Sequence, residues 1–417
     1  MSVAGKEIFN RSEGGLSMLF SGGEIKIKER HSQSGYGIRV ISGGKVGFSY
    51  CDNAKDMAKT AEQAKLLCLL EAKNFSFQKR AKYEKMNLVD RKITDCAGAD
   101  AREIIYQIKG GIEKFAKQCR ISLEVGSAKV AIENNFGLRE KYEKTSISAY
   151  SEATIGDGLG YSYLSSSFMP KDFVALGEQA GQMAKDMRKA KKLPNGKYTV
   201  ALELEALQSM LEILMPSFSG DWKRKKISSI AGKKGRRIFD ECFMLYADGR
   251  ADASGKAPFD DEGVPTKRTP LVENGVAKNF LYDNETAALD DAKSTSSCIR
   301  SSYSSYPAIG ALNIVIEPGK GNKEKRFGKF EDELKELVLV RSLHGTHTSN
   351  MTTGDFGVEV NAGMHYKNGR QTAVRGFVIS GNIFNLFNSI QGMEKGAGVF
   401  DNLISPRIAF SGVQVVG

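Results

Sequence analysis

Short strand-like runs separated by paired glycines open the chain. Leu16 to Phe20, Glu24 to Arg30, Tyr36 to Ile41 and Val46 to Tyr50 mix apolar and polar positions, with Gly22-Gly23 and Gly43-Gly44 between them. Two adjacent glycines accept positive φ at both central positions of a tight turn, so this pattern predicts an antiparallel meander. The period then changes. Asp52-Asn53 stands where a helix cap belongs, and Met57, Ala61, Ala64, Leu67 and Cys68 recur at helical spacing within 54–73. A second helix is predicted over 100–118, with Ile104, Ile108, Ile112 and Phe115 on one stripe and a bend at Gly110-Gly111. Strands resume from Ile121 to about Tyr163 around a turn at 134–137, and a third helix over 172–192 runs into Pro194-Asn195-Gly196, a boundary signal.

Beyond that boundary an apolar stretch, 200–215, predicts a strand running into a helix. Strands and Asn-Gly turns dominate afterwards, most clearly at Asn274-Gly275 and Asn368-Gly369. One helix over 381–391 interrupts the last strands, and 406–416 closes the chain. The expected fold class is α+β in two domains: 1–195 with antiparallel strands and long helices, and 196–417, mainly antiparallel β. The loop 318–329, rich in glycine and lysine, is expected to be disordered.

Length and composition narrow the class without naming it. At 417 residues the chain is expected to hold two or three cores of ~150 residues each. Hydrophobic residues at 41% and charged residues at 26% describe an ordinary globular protein. No apolar run approaches the ~20 residues of a membrane span, and residues 1–7 lack a signal-peptide core, so a cytoplasmic location is expected. Cysteines 51, 68, 96, 119, 242 and 298 form no close pair and read as reduced, mostly buried thiols. The net charge of +11 permits a polyanionic partner. However, the basic run from Lys223 to Arg237 is flanked only by Trp222 and Phe239. It lacks the interleaved aromatics of a base-stacking platform and reads as a solvated loop at a subunit interface, so no nucleic-acid partner is expected.

Two blocks carry chemical information. His347-Thr348-Ser349-Asn350 precedes Thr353-Gly354-Asp355-Phe356, followed by Asn368-Gly369 and the run Val374-Arg375-Gly376-Phe377 through Ser380-Gly381-Asn382. Earlier, Pro258-Phe259-Asp260-Asp261-Glu262-Gly263-Val264-Pro265 leads to Leu271-Val272-Glu273 and Leu281-Tyr282-Asp283. With Gly35-Tyr36-Gly37-Ile38-Arg39-Val40 near the start, these blocks resemble the TldD/PmbA family, whose members are known as modulators of DNA gyrase and as metallopeptidases. The spelling is closer to the PmbA branch, also called TldE. The resemblance implies an N-terminal α+β domain and a barrel-like C-terminal domain.

It also implies where chemistry belongs. In the TldD branch a helix carries His-Glu-x-x-x-His, completed by a cysteine near the C-terminus. Zinc needs about three strong ligands and an open position for water, and the glutamate serves that water as base. Aligned on Ser219-Gly220-Asp221, the histidine positions fall on Leu211 and Pro216, with Glu212 in the glutamate position, and no cysteine follows Cys298. Neither leucine nor proline ligates zinc. The resemblance therefore implies a subunit with no catalytic or metal-binding residue and no cofactor of its own. Zinc is expected in a TldD-like partner, in a heterodimer or larger assembly acting on unfolded or linear peptides, with a homodimer conceivable in isolation. An extended peptide would add to an exposed strand edge.

Substrate or interface candidates are Asn350, Asp355, His347, Arg268 and Asn382. Asp355 is weighted toward holding its own turn, and Asp260-Asp261-Glu262 toward shaping a loop rather than acid–base work. Two alternatives remain open: an autonomous metallopeptidase using His344, His347 or His365 with Asp355, and a non-enzymatic binding protein linked to DNA gyrase modulation.

Overall fold

The computed structural model describes residues 3–71, 75–319 and 325–417. Its first layer is a seven-stranded sheet made of β1 (Val3–Ser21), β2 (Glu24–Ser42), β3 (Lys45–Cys51), β4 (Leu70–Glu71), β5 (Gln118–Asn134), β6 (Arg139–Ile155) and β7 (Gly158–Ser166). The order is β4-β3-β2-β1-β5-β6-β7, with every pair antiparallel. Both glycine pairs close tight hairpins, Gly22 and Gly23 at φ 63° and 91° and Gly43 and Gly44 at 58° and 72°. The segments predicted at 16–20 and 24–30 are parts of two 19-residue strands. The polar positions between them belong to an alternation that puts one side chain on each face in turn.

Two helices, Gly98–Glu113 and Val174–Met187, cover one face of this sheet. Ile105, Ile108 and Ile112 are fully buried there with Leu123, Val125 and Ile147 of the strands. The bend expected at Gly110-Gly111 is absent, because the helix runs through both residues. Gly111 instead permits a close crossing: a Cβ there would lie 2.2 Å from the Val174 carbonyl oxygen, and one on Gly177 would lie 1.9 Å from that of Ile108. The first predicted helix spans only Met57–Leu66, after a short turn capped by the Asn53 side chain. Leu66 at its end and Leu67, Leu69 and Leu70 beyond it are exposed.

The second layer begins at the Pro194-Asn195-Gly196 signal. Gly196–Leu202 (β8) runs parallel to Glu336–His344 and antiparallel to Ile408–Val416, which closes a five-stranded barrel with Asp355–Lys367 and Phe377–Asn382. A half-barrel stands against it, with Phe243–Asp248, Arg268–Glu273 and Ile314–Pro318 at its centre. The helix Leu204–Leu214 fills the space between, with Leu207, Met210, Leu211 and Leu214 in one core with residues of both sheets. The fold is α+β with mostly antiparallel sheets. Asn274-Gly275 and Asn368-Gly369 form turns with positive φ at both residues. The helix predicted over 381–391 is Ile383–Asn388, and the closing strand is Ile408–Val416. Of the loop 318–329, residues 320–324 lie outside the described residues, and Arg326–Phe327 forms a short strand beside Ile390–Glu394.

The two layers are joined by the chain between 250 and 310. Phe259 and Tyr303 pack against Phe9, Val130 and Ile132 of the first sheet, and Tyr83 donates its hydroxyl to the Gly263 carbonyl at 2.8 Å. All six cysteines are free, and only Cys242 and Cys298 are buried, fewer than expected. Among the described residues no helix is long and apolar enough to cross a membrane.

Candidate functional site

The helix Leu204–Leu214 carries the degenerate motif. Leu211 faces the barrel core and is 1% exposed, a burial that contributes about 2 kcal/mol for a leucine side chain. Glu212, one residue on, points to solvent. Pro216 lies in the tight helical turn Met215–Phe218 that ends this segment. These residues do not fit a zinc ion: the first ligand position is apolar packing and the second is an imino acid without a donor side chain. Ser219-Gly220-Asp221 has a local role. Gly220 donates its N–H to the Leu281 carbonyl at 2.8 Å, and Asp221 pairs with Lys225 at 2.6 Å. Half of the eight basic residues in the run are paired, Lys223 with Asp290, Arg224 and Lys225 with Asp221, and Arg237 with Glu241, while Phe239 is fully buried.

At the end of the barrel, Asn350, Asp355 and Asn382 do converge. The Asn350 carboxamide oxygen accepts from the N–H groups of Thr352 and Thr353 at 3.0 and 3.1 Å, and Asn350 bridges Asp355 through backbone hydrogen bonds. Asn382 donates from Nδ2 to Asp355 Oδ1 and to the Thr353 carbonyl, both at 2.9 Å, and its Oδ1 caps the helix Ile383–Asn388 at the Phe384 N–H. The Asp355 carboxylate is exposed, and the hydrogen bonds from Asn382 and Thr353 hold its pKa below the usual value. Every strong polar group here is turned inward on the turn itself, the arrangement of an Asx-type brace.

The remaining candidates do not join them. His344 ends one strand and His347 sits in the turn Thr346–Thr348, their rings 6.5 Å apart and both side chains exposed. His365 lies six residues beyond the position opposite His344 on the neighbouring strand, about 20 Å along it, and contacts Glu336 at 3.0 Å. The proposed His/His/Asp grouping is thus not assembled, and no three potential ligands converge on a metal position among the described residues. Arg268 belongs to the half-barrel, where its guanidinium lies 3.8 Å over the Tyr246 ring and donates to Glu317 at 2.5 Å. Its strand pairs in a different sheet from the barrel strands that carry Asp355 and Asn382.

The carboxylates at 260–262 enter a buried network. Arg39 donates from Nε to Glu7 Oε1 at 2.8 Å and from Nη1 to Glu262 Oε1 at 2.7 Å. Arg300 donates from Nη2 to the same Glu7 oxygen at 2.8 Å. Glu7, Arg39, Asp260, Glu262 and Arg300 are each under 5% exposed. Burial, with the charge of Glu262 adding to it, pushes the Asp260 pKa well up, and the Asp283 carboxyl rises to about 7 for the same two reasons. Arg39 is held strongly protonated: burial opposes its charge, but Glu7 and Glu262 outweigh it. Glu7 Oε2, Arg39 Nη2 and Arg300 Nη1 lack a well-aligned partner. This cluster clasps β1 and β2 to the loop from the second layer, and the carboxylates shape that junction.

A third polar place carries no motif. Tyr161 on β7 donates its hydroxyl to Glu205 Oε1 at 2.5 Å, at the start of the helix Leu204–Leu214. Burial raises the Glu205 pKa against the pull of that hydrogen bond and of Arg341. Glu205 lines a cavity of about 340 Å³ between the layers together with Ser162, Tyr163, Glu203, Arg341 and Phe400. The one signal in the sequence is the pair of glutamates flanking Leu204, at the junction of the strand and helix predicted over 200–215.

This architecture, with an α+β sheet layer clasped to a barrel, is that of a known peptidase class. A model of the PmbA/TldA metallopeptidase C-terminal domain matches residues 195–417, and one of PmbA/TldA metallopeptidase domain 1 matches residues 8–68. The chain belongs to the PmbA/TldD metallopeptidase family. An uncharacterized protein of Methanocaldococcus jannaschii is 30% identical over 392 residues, covering 91% of this chain and 88% of that protein. A metalloprotease of Methanothermobacter thermautotrophicus is 22% identical, covering 90% and 85%. Among solved structures, TldE from Thermococcus kodakarensis superposes with a TM-score of 0.89 at 24% identity, covering 99% of this chain and 97% of that one. A proposed modulator of a DNA gyrase from Thermotoga maritima superposes with a TM-score of 0.88 at 22% identity, covering 99% and 96%.

Proposed function

We propose that this chain is the TldE-like, zinc-free subunit of a TldD/TldE-type cytoplasmic metallopeptidase that degrades unfolded or linear peptides. The observation that carries the reading is Leu211, which stands where the resemblance places the first zinc-binding histidine and whose side chain is packed into the barrel core. Pro216 at the second position and the lack of any cysteine after Cys298 support it. The chain then contributes interface and peptide-binding wall, while a partner bearing His-Glu-x-x-x-His supplies zinc and the base. Coexpression with a TldD-like chain tests this. A stable complex that cleaves an unstructured peptide, with cleavage lost when this chain is omitted, is the expected result; undiminished cleavage by the partner alone rejects the reading.

A further inference from the structure

β7 is the last strand of the seven-stranded sheet. It pairs with β6 on one side, and among the described residues no backbone hydrogen bond joins its other edge to a neighbour. Such an edge presents alternate free N–H and C=O groups over its length. Three cavities follow one another along it: Leu159 and Tyr161 line the first, Ser162 and Tyr163 the second, and Leu164 to Ser166 the third. Residues of both strand faces line them, Ser162 from the helix-covered face and Tyr163 from the other, as expected where the strand's edge forms the wall. Nine residues of strand extend about 30 Å, the span of an extended peptide of similar length.

The middle cavity has a charge preference. Glu394 and Arg407 close on each other through two hydrogen bonds, at 2.7 and 2.6 Å, and cancel. Glu203, Glu205 and Arg341 remain. Among the described residues, Arg341 pairs only with Glu203, at 4.0 Å, and no group donates to Glu205 Oε2. The balance is one net negative charge beside the rings of Tyr163 and Phe400, whose centroids are 5.7 Å apart. Carboxylates and aromatic faces both favour a cation.

We propose that β7 is a docking edge for an extended peptide, and that the Glu203–Glu205 cavity beside it receives a lysine or arginine side chain of that peptide. The peptide nature of the occupant rests on the reading of this chain as a peptidase subunit. The backbone groups would supply sequence-independent affinity and the cavity a local preference.

The test uses the full-length chain alone, with no partner, and a fluorescent unstructured nonapeptide with central lysines, followed by anisotropy. Three changes are compared: lysine to norleucine, N-methylation of alternate backbone amides, and the protein variant Glu203→Gln/Glu205→Gln. The expected result is about ten-fold tighter binding of the lysine peptide than of the norleucine peptide, a gap that closes in the double variant. N-methylation weakens both peptides. The amide oxygen that replaces the carboxylate at position 205 can still accept from Tyr161, and an unchanged unfolding midpoint confirms that the variant is folded. Equal affinity for lysine and norleucine, indifference to N-methylation, or no binding at all overturns the proposal. None of these results bears on partner-dependent cleavage, so the subunit reading stands or falls separately.

Discussion

The turn at Asp260-Asp261-Glu262-Gly263 is sealed between two layers, whereas Thr353-Gly354-Asp355-Phe356 lies open at the end of a barrel. Both put a carboxylate beside glycine. In the first, Asp260 and Glu262 are 0% exposed; Asp260 accepts from the backbone N–H groups of Glu262, Val264 and Cys298, and Glu262 accepts from Arg39 of β2, more than 200 positions away. In the second, the Asp355 carboxylate is exposed and, among the described residues, bonded only to Thr353 and Asn382. The difference shows that the same local spelling shapes a turn in both places, and that burial alone decides how much electrostatic consequence follows. A buried charge without its counter-charge is costly, while an exposed one is relaxed by water.

The sharpest way to break this contrast is Arg39→Leu. It leaves Glu7 and Glu262 buried without their shared cation, so a loss of about 3–5 kcal/mol is expected in urea unfolding. A loss below about 1 kcal/mol would mean that the junction is wet and the contrast false.

The next effect is a pH dependence. The Asp283 pKa, about 7 in the folded chain, lies above its unfolded value near 3.9. The folded state therefore holds the proton more tightly, and the stability this contributes is present below about pH 4 and lost as pH rises to about 7. The span is up to a few kcal/mol. Asp283→Asn keeps an oxygen to accept from the Thr286 N–H and should flatten that part of the profile. Lys144 acts in the other window. Its side chain donates to the Ser254 and Lys256 carbonyls, and burial lowers its pKa to about 8, so its contribution, complete above about pH 10, is lost as pH falls to about 8. Thermal unfolding from about pH 5 to 10 should accordingly show a minimum near pH 7–8.

At the open turn the effects shrink. Asn382→Ala removes a helix cap and the brace on Asp355, for an expected cost of about 1 kcal/mol in denaturant midpoint. Glu212→Ala is the smallest. With an exposed side chain it should change stability by less than about 0.5 kcal/mol and leave cleavage by a reconstituted complex unchanged. A loss of cleavage would restore Glu212 as a base.

Local signals were legible and distant ones were not. Gly22-Gly23, Gly43-Gly44, Asn274-Gly275 and Asn368-Gly369 were readable as turns, because positive φ is a property of the residues themselves. The Ile104, Ile108, Ile112 stripe marked its helix, but nothing in Gly111 alone distinguishes a bend from a close crossing; the difference is Gly177, on another helix. Barrel closure between Gly196–Leu202 and Ile408–Val416 joins segments some 200 positions apart and leaves no periodic trace. Glu7, Arg39 and Arg300 each look like surface residues of a strand or loop until their partners are known. Nothing in the sequence around Arg268 shows that its strand pairs in the half-barrel rather than in the barrel. Tyr161, Glu205 and Arg341 belong to three different elements and had no shared motif to announce them.

The account rests on this chain working as the metal-free half of a pair, and one preparation tests it. The chain is purified alone and together with a His-Glu-x-x-x-His partner, and zinc content and cleavage of an unstructured peptide are measured on both. The account predicts no stoichiometric zinc and no cleavage for the chain alone, and about one zinc per heterodimer with cleavage for the pair. Stoichiometric zinc with chelator-sensitive cleavage in the lone chain would contradict it.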